Sequence, residues 1–395
     1  MKNKILIFSI AYHPFIGGAE VAVQEICKRL SGFDFNIITL RMDRALPKIE
    51  KIENITIHRI GFAAKKEGIF IRSSVNWPLT VSKYLFPFLA FLKARSLNRK
   101  ERFDLTWSIM ANYAGFAALF FKWFYPKIPF LLTLQEGDDL EYIKKRVGIF
   151  MPLFRQIFHK ADKIQAISNF LAEFGKSMGH KGQPIVIPNG VDISNFGRVI
   201  SEEELKEARE ILGKQPGDFF IITSSRLVKK NAVDIVIKSL TFLPKNYKFF
   251  VAGTGQESDE LERLVGSLGL AQRVKFGGFI EHKKLPTLLK TSDCFVRPSR
   301  SEGMGNSFIE AMAAGLPVVA TPVGGIVDFL EDGITGLFCK VDDPDDIAKQ
   351  VKRLIEDDKL RENIVKNARE NVQKSYDWDN ISQRMKKEVF NDIQA

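Results

Sequence analysis

The densest chemistry in the sequence is the run Arg297-Pro298-Ser299-Arg300-Ser301-Glu302-Gly303-Met304-Gly305-Asn306-Ser307-Phe308-Ile309-Glu310. A short apolar strand (CFVRP) ends there and a glycine-bearing loop leads into a helix. The amides of Gly303, Met304, Gly305 and Asn306 can meet a negatively charged or hydroxyl-rich ligand at the helix start. The reading places the cap at Asn306 or Ser307, Glu310 in the first turn, and the helix end at Gly315 before Pro317. A glutamate so placed can accept from a pair of sugar hydroxyls. Glu302 and Glu310 also suit an acid/base pair, or charges that complement the helix dipole, and the spacing leaves these alternatives open. A second run, His13-Pro14-Phe15-Ile16-Gly17-Gly18-Ala19-Glu20, joins the first predicted strand to the first predicted helix. Gly17 and Gly18 there allow either a tight turn or close approach of backbone to an anion. His13 is a proton carrier or a hydrogen-bonded structural residue.

These runs must be held by regular elements. KILIFSI, a Gly-bearing loop and AEVAVQEICKRL form a strand–loop–helix unit. FNIITL, ITIHRIGF, FDLTWSI, FLLTL, KIQAIS and PIVIP follow, separated by helix-length stretches. PNGVDISNFG reads as a turn-rich linker, then a charged helix spans Glu202–Leu212, and the alternation restarts with FFIITSS, KFFVAGT, VKFGGF, CFVRP, PVVAT and GLFC. Such alternation predicts α/β architecture: two tandem doubly wound, Rossmann-like domains, 1–190 and 191–375, with mainly parallel sheets. Ligands of open α/β sheets sit at the carboxyl ends of the strands, so a cleft between the two domains is the expected site.

With 395 residues, 45% apolar and 27% charged, the chain can bury full cores, which excludes wholesale disorder and collagen-like architecture. Cys27, Cys294 and Cys339 stand far apart without CxxC pairing, which predicts neither a disulfide framework nor a zinc site and fits a reducing cytosol. The net charge of +11 is uneven: residues 1–190 hold 28 basic and 15 acidic side chains (+13), the remainder 30 and 32 (−2). That asymmetry points to an anionic partner for the first half, whether nucleic acid, a phospholipid surface or a phosphorylated substrate. No helix-turn-helix, zinc-finger or RNP signature supports nucleic acid. The N-terminus lacks a cleavage site and its apolar run breaks at His13-Pro14, which argues against a signal peptide. The long uncharged run Leu105–Phe121 carries Thr106, Ser108, Asn112 and Gly115 and reads as a strand, a loop and a packed helix rather than a membrane span. Ile69–Lys100 mixes Phe, Trp, Tyr and Leu with Arg72, Lys83, Lys93, Arg95, Arg99 and Lys100. It suits an interfacial membrane segment, or an amphipathic helix with a solvated basic face.

Glu302-x7-Glu310 inside PSRSEGMGNSFIEAMAAGLPVVATPVGG resembles the hallmark of family-4-type retaining glycosyltransferases with a GT-B fold. The resemblance runs through nearly the whole chain: KILIFSIAYHPFIGGAE, ADKIQAISNFLAEF, IPNGVDISNF, SRLVKKNAVDIVIKSL and FFVAGTGQESDELERLVGSLGL stand in the family's order. The tail SYDWDNISQRMKKEVF resembles the closing helix, which implies that 376–395 returns to the N-terminal domain. The resemblance implies an N-terminal acceptor domain and a C-terminal domain for the nucleotide-sugar donor. It implies that Glu310 binds the ribose hydroxyls and that Glu302 with Gly303, Met304, Gly305 and Asn306 lines the donor sugar. Arg226 is implied to clamp the diphosphate, with Gly17 and Gly18 reaching it from across the cleft. It further implies no cofactor beyond the nucleotide-diphosphate sugar and no metal; no DxD or histidine cluster reads as a metal site.

Two positions depart from the family pattern. The clamp lysine usually follows the arginine by five positions, where this chain has Asn231, so the role is expected of Lys230. The histidine usual after a late N-domain strand is replaced in LLTLQEGDDLEY by Gln135 and Glu136. Gln135 can keep a binding role without proton sharing, or Glu136, Asp138 or Asp139 can serve the acceptor, unless that loop is simply solvated. The expected activity is transfer of a sugar to a lipid-linked, glycan or other anionic acceptor in cell-surface polysaccharide or glycolipid synthesis. The expected place is the cytoplasm, peripheral at the inner face of the membrane and held by the basic N-terminal domain, with no nucleic-acid partner. The alternative expectation is a catalytically degenerate nucleotide-sugar-binding or scaffold protein of the same fold.

Overall fold

The computed structural model describes residues 2–15, 17–63 and 77–394, so Ile16 and the start of the Ile69–Lys100 segment, Arg72 included, lie outside the described residues. The chain forms two compact units, one of Met1–Asn189 with Trp378–Ala395, the other of Gly190–Asp377.

The first unit is built on strands β1 (Asn3–Phe8), β2 (Phe33–Leu40), β3 (Ile49–Ile52), β4 (Ile55–Ile60), β5 (Leu105–Ile109), β6 (Phe130–Leu134), β7 (Lys163–Ala166) and β8 (Ile185–Val186). Their spatial order is β3-β4-β2-β1-β5-β6-β7-β8, parallel throughout except for the antiparallel edge pair β3–β4. Ile5–Phe8 and Leu105–Ile109 are buried on both faces, which is why they read as unbroken apolar runs rather than alternating ones. Chain order reverses direction between β1 and β5, the topological switch point of this sheet. The carboxyl-terminal segment belongs to this core: Phe390 packs its ring 5.6 Å from Phe33 and 5.2 Å from Trp107, and Arg29 pairs with Asp379 at 2.6 Å. Truncating one such buried phenylalanine costs roughly 3–5 kcal/mol, enough to fix the tail on this unit.

The second unit carries β9 (Phe219–Ser224), β10 (Tyr247–Ala252), β11 (Val274–Gly278), β12 (Cys294–Arg297), β13 (Val318–Ala320) and β14 (Leu337–Phe338), all parallel, in the order β11-β10-β9-β12-β13-β14. Its switch point falls between β9 and β12. The Glu202–Leu212 helix starts at Ser201, whose Oγ accepts from the Glu204 amide while Glu204 accepts from the Ser201 amide, and stops at Gly213 (φ 76°). The stretch read as a linker is ordered: Val191 donates to the Tyr376 carbonyl at 2.8 Å, and Ile193–Phe196 makes one helical turn capped by Asp192.

Candidate functional site

In the second unit, the loops after β9 and β12 leave adjacent strands on the same sheet edge, at the switch point. The β9 loop carries Arg226 and Lys230, and the β12 loop carries Glu302 and Gly303–Asn306. Arg300 ties the two loops together. Its amide donates to the Lys230 carbonyl at 2.7 Å and its guanidinium bonds the Lys229 carbonyl, Asp342 at 2.7 Å and Asp234 at 3.0 Å. Arg226 is exposed on this edge and Lys230 half-buried. Asn231, at the departed lysine position, is buried and donates through Nδ2 to the Arg226 carbonyl at 2.7 Å. Its amide is thus spent on shaping the β9 loop, not on facing a ligand.

Glu302 is held from two sides. Oε2 accepts from Arg297 at 2.6 Å and Oε1 from the Gly303 amide at 3.0 Å, and these side chains are 12% and 6% exposed for Glu302 and Arg297. Arg297 also donates to Ser307 Oγ at 2.7 Å and lies over the Phe308 ring at 4.1 Å, while its Nε has no partner among the described residues. Burial pulls the Arg297 pKa below the usual arginine value against the pull of Glu302 and Glu310. Arg297 went unread in the sequence; the available signal was a charged residue closing an otherwise apolar buried strand. The Glu302 carbonyl is covered by the Gly324 loop, where a Cβ would stand 1.8 Å from that oxygen, so only glycine fits. The helix after the loop is Asn306–Ala314, and its cap is Gly305 (φ 91°) with no side-chain cap bond. Asn306 and Ser307 are therefore not the cap, and Glu310 stands just beyond the first turn. The reason is local: a left-handed residue must turn the chain here, and a Cβ on Gly305 would strike Phe308 and Arg297 at 2.5 and 2.6 Å. Glu310 Oε1 meets His282 Nε2 at 3.1 Å, and His282 lies edge-on to Phe196. Nothing in the sequence signalled His282. Met304 and Gly303 are buried under the loop, whereas Asn306 is half-buried.

The remaining candidates belong to the first unit. Gly17 caps the Gly18–Arg29 helix in an extended conformation and donates its amide to Glu20 Oε2 at 2.8 Å. His13 lies in the preceding loop, where its carbonyl accepts from the buried Arg59 at 2.9 Å. After β6, Gln135 Oε1 accepts from Asn189 at 3.1 Å. Glu136 Oε1 accepts from the Ala111 amide at 2.7 Å, but Oε2, shielded from solvent, has no partner among the described residues. Burial raises the Glu136 carboxyl to about 7, with Asp138 adding to the rise and the backbone bonds from Ala111, Glu136 and Gln135 opposing it. Met110, just before Ala111, holds φ at 68°, a conformation that a non-glycine residue adopts at a cost of about 1–3 kcal/mol and that aims the Ala111 amide at Glu136. Asp139 caps the Leu140–Val147 helix through the Tyr142 amide. Among the described residues no group of three or more His, Cys, Asp or Glu side chains is set to hold a metal, and no helix is long and apolar enough to cross a membrane.

The Trp77–Lys100 helix buries Ser82, Phe86, Ala90 and Ala94 and presents Tyr84, Phe88 and Leu92 outward, one turn apart. The neighbouring Tyr113–Phe124 helix adds Trp123 and Phe124, with Phe88 on Phe120 at 5.3 Å and Phe91 on Phe124 at 4.8 Å. The outward side of this helix is thus aromatic, and its exposed basic residues, Arg99 and Lys100, stand at its end.

Two family models match the chain, Glycosyltransferase Family 4 over residues 16–195 and Glycosyl transferases group 1 over residues 205–371. An uncharacterized glycosyltransferase of Methanocaldococcus jannaschii is 36% identical over 394 residues, spanning 96% of each chain. An alpha-monoglucosyldiacylglycerol synthase of Streptococcus pneumoniae is 25% identical over 80% of this chain and 70% of its own. Among solved structures, Anabaena HepE in complex with UDP and glucose superposes with a TM-score of 0.78 at 22% identity, covering 98% of this chain and 100% of HepE. The chain belongs to this glycosyltransferase family and has its GT-B fold of two Rossmann-like domains.

Proposed function

We propose that this family 4 glycosyltransferase moves a sugar, with retention of anomeric configuration, from a nucleoside-diphosphate sugar to a lipid-linked, glycan or other anionic acceptor. The observation that carries the reading is the Arg300-tied pair of loops at the β9/β12 switch point, which sets the cations Arg226 and Lys230 beside the Glu302 loop and the Glu310 helix. In this reading the second unit takes the donor: Glu310 accepts from the ribose hydroxyls, and Glu302 with Gly303, Met304, Gly305 and Asn306 lines the sugar. Arg226 and Lys230 meet the diphosphate. The glycosyl–phosphate bond breaks as the acceptor hydroxyl attacks the anomeric carbon from the same face, and the hydroxyl proton passes to the departing β-phosphate oxygen. Negative charge grows on that phosphate in the transition state, and a preorganised donor at such a position contributes about 3 kcal/mol. In this reading the cations and loop amides carry that charge in place of a metal ion.

The first unit takes the acceptor, with His13, Gln135 and Glu136 at its sheet edge, and Gly17 and Gly18 at its helix start offer backbone to an anionic group of the substrates. The basic charge of the N-terminal half and the exposed aromatic stripe favour work as a peripheral protein at the cytoplasmic membrane face, in glycolipid or cell-surface polysaccharide synthesis. The HepE complex with UDP and the diacylglycerol-directed relative support a nucleotide donor and a lipid acceptor by kinship. The test is calorimetric titration with UDP, GDP and ADP, repeated on Glu310→Ala. Micromolar affinity for one nucleotide, reduced about tenfold or more in the variant, is the expected result. Unchanged affinity removes Glu310 from the donor site; binding of none of the three, by a folded protein, overturns the donor reading. Tight binding without turnover on any acceptor would instead favour the degenerate scaffold.

A further inference from the structure

Strand β12 is buried along its whole length, and Cys294, Phe295 and Val296 fill it with apolar side chains. A fourth apolar residue would serve the core as well, because well-packed hydrophobic groups commonly match or better a buried ion pair in stability. Arg297 stands there instead, and its side-chain bonds run to the loop that follows. Nη2 donates to Glu302 Oε2 at 2.6 Å and Nη1 to Ser307 Oγ at 2.7 Å, while the guanidinium lies 4.1 Å from the centre of the Phe308 ring. Glu302 immediately precedes the loop Gly303–Asn306 and Ser307 immediately follows it, so one guanidinium pins both ends. The loop is wound closely on that group: a Cβ on Gly305 would stand 2.6 Å from Nη2.

We infer that Arg297 is a positioning residue of the donor-sugar site, holding Glu302 and the Gly303–Asn306 loop in the arrangement that accepts the sugar. This role rests on the reading of that loop as the donor-sugar contact, and adds the residue on which the contact depends. Glu302 is fixed at three points. Oε2 accepts from Arg297, Oε1 from the Gly303 amide at 3.0 Å, and the carbonyl from the Gly325 amide at 3.1 Å. Two bonds use about half of a carboxylate's acceptor positions, so Glu302 keeps capacity for a sugar hydroxyl while its direction is already set. A group placed in advance binds without first losing rotamer freedom. Lysine is a poor substitute, because it lacks the planar fork that serves two acceptors while lying flat on a ring. The Arg297 side chain is itself buried, so it acts through Glu302 and the loop rather than by touching the sugar.

The test is calorimetry on the full-length protein, comparing a bare nucleotide with its sugar conjugate. Wild type is titrated with UDP, GDP and ADP, then with the matching UDP-glucose, UDP-N-acetylglucosamine, GDP-mannose or ADP-glucose. The quantity read is the conjugate's affinity divided by that of its nucleotide. Arg297→Lys, which keeps the charge and loses the fork, should lower this ratio about tenfold. Glu302→Gln should lower it too, and adding Arg297→Lys to Glu302→Gln should change it by less than about threefold. Ser307→Ala frees only the helix end of the loop and leaves the ion pair in place; it should lower the ratio about threefold. Circular dichroism establishes that each variant is folded. An unchanged ratio in folded Arg297→Lys and Ser307→Ala overturns the positioning role, as does a sugar that adds nothing to wild-type affinity. Equal losses for nucleotide and conjugate also overturn it, leaving Arg297 a support of the fold alone. Full additivity with Glu302→Gln shows that Arg297 does not act through Glu302 and overturns it as well. A folded wild type that binds none of the three nucleotides instead sinks the donor reading itself, so the two failures are told apart.

Discussion

Glu136 makes a pH-dependent prediction whose sign and size both follow from its surroundings. Its Oε1 is satisfied by the Ala111 amide at 2.7 Å, and its shielded Oε2 has no partner among the described residues, so the folded protein disfavours the ionised form. Burial moves the carboxyl from 4.5 to about 7. Below about pH 4.5 the group is protonated in both states and costs nothing. Between there and pH 7 the unfolded chain releases a proton that the folded chain keeps, so stability falls as pH rises, and above pH 7 the loss is complete. At 1.36 kcal/mol per pH unit the loss totals roughly 3 kcal/mol. Glu136→Gln keeps an oxygen for the Ala111 amide and cannot ionise. The variant should match wild type near pH 4 and exceed it by about 3 kcal/mol at pH 8. Urea unfolding followed by tryptophan fluorescence reads this unit alone, since all four tryptophans (77, 107, 123 and 378) belong to it. His58, pushed down to about 4 chiefly by burial, titrates in both proteins and cancels in the difference. Parallel stability curves, or a variant weaker at pH 8, would refute the argument.

Breaking the Arg297–Glu302 pair with Arg297→Met should cost the second unit about 3–5 kcal/mol, because it strands a largely buried carboxylate. Circular-dichroism urea curves should show the double variant Arg297→Met/Glu302→Gln recovering part of that loss; strict additivity would mean the two are not coupled. On the aromatic face of the first unit, Phe88→Asp with Leu92→Asp should reduce flotation with phosphatidylglycerol vesicles while leaving nucleotide affinity intact. Replacing Lys93, Arg95, Arg99 and Lys100 with Gln should do so most clearly at low salt. Vesicle binding by both variants at the wild-type level would sink the membrane role of this helix.

The fold was legible because parallel strands covered on both faces declare themselves as short apolar runs, and helices declare their ends. Phe33–Leu40, Leu105–Ile109 and Phe219–Ser224 all stand where such runs are, and the helix Glu202–Leu212 has the bounds its Ser201 cap and Gly213 stop dictate. The edge strand Ile49–Ile52 was missed for the opposite reason. It is short, charged and exposed on alternate residues, and its place is set by pairing with Ile55–Ile60 across a turn where Glu53 takes φ 51°. The start of the Asn306–Ala314 helix was misplaced because a capping side chain is a weaker demand than the steric one at Gly305.

For the site, the sequence marks residues whose spacing is local and hides those assembled by the sheet. Arg226, Lys230, Glu302 and Glu310 lie in two runs that motif spacing makes visible. Arg300 was visible only as one more loop arginine, because its partners, Asp234, Asp342 and the Lys229 and Lys230 carbonyls, come from distant segments that the adjacency of β9 and β12 brings within reach. Asn231 shows the same limit from the other side. In sequence it looks like a lost lysine, hence a reason to suspect lost function. In the fold, its buried amide bonds the Arg226 carbonyl and closes the turn that leaves the Arg226 side chain exposed on the site edge. A lysine there would have to bury an ammonium or reorganise the turn, whereas Lys230, one residue earlier, already stands half-buried on the loop that Arg300 holds. The departure is therefore better understood as a change in which residue builds the loop than as the removal of its charge.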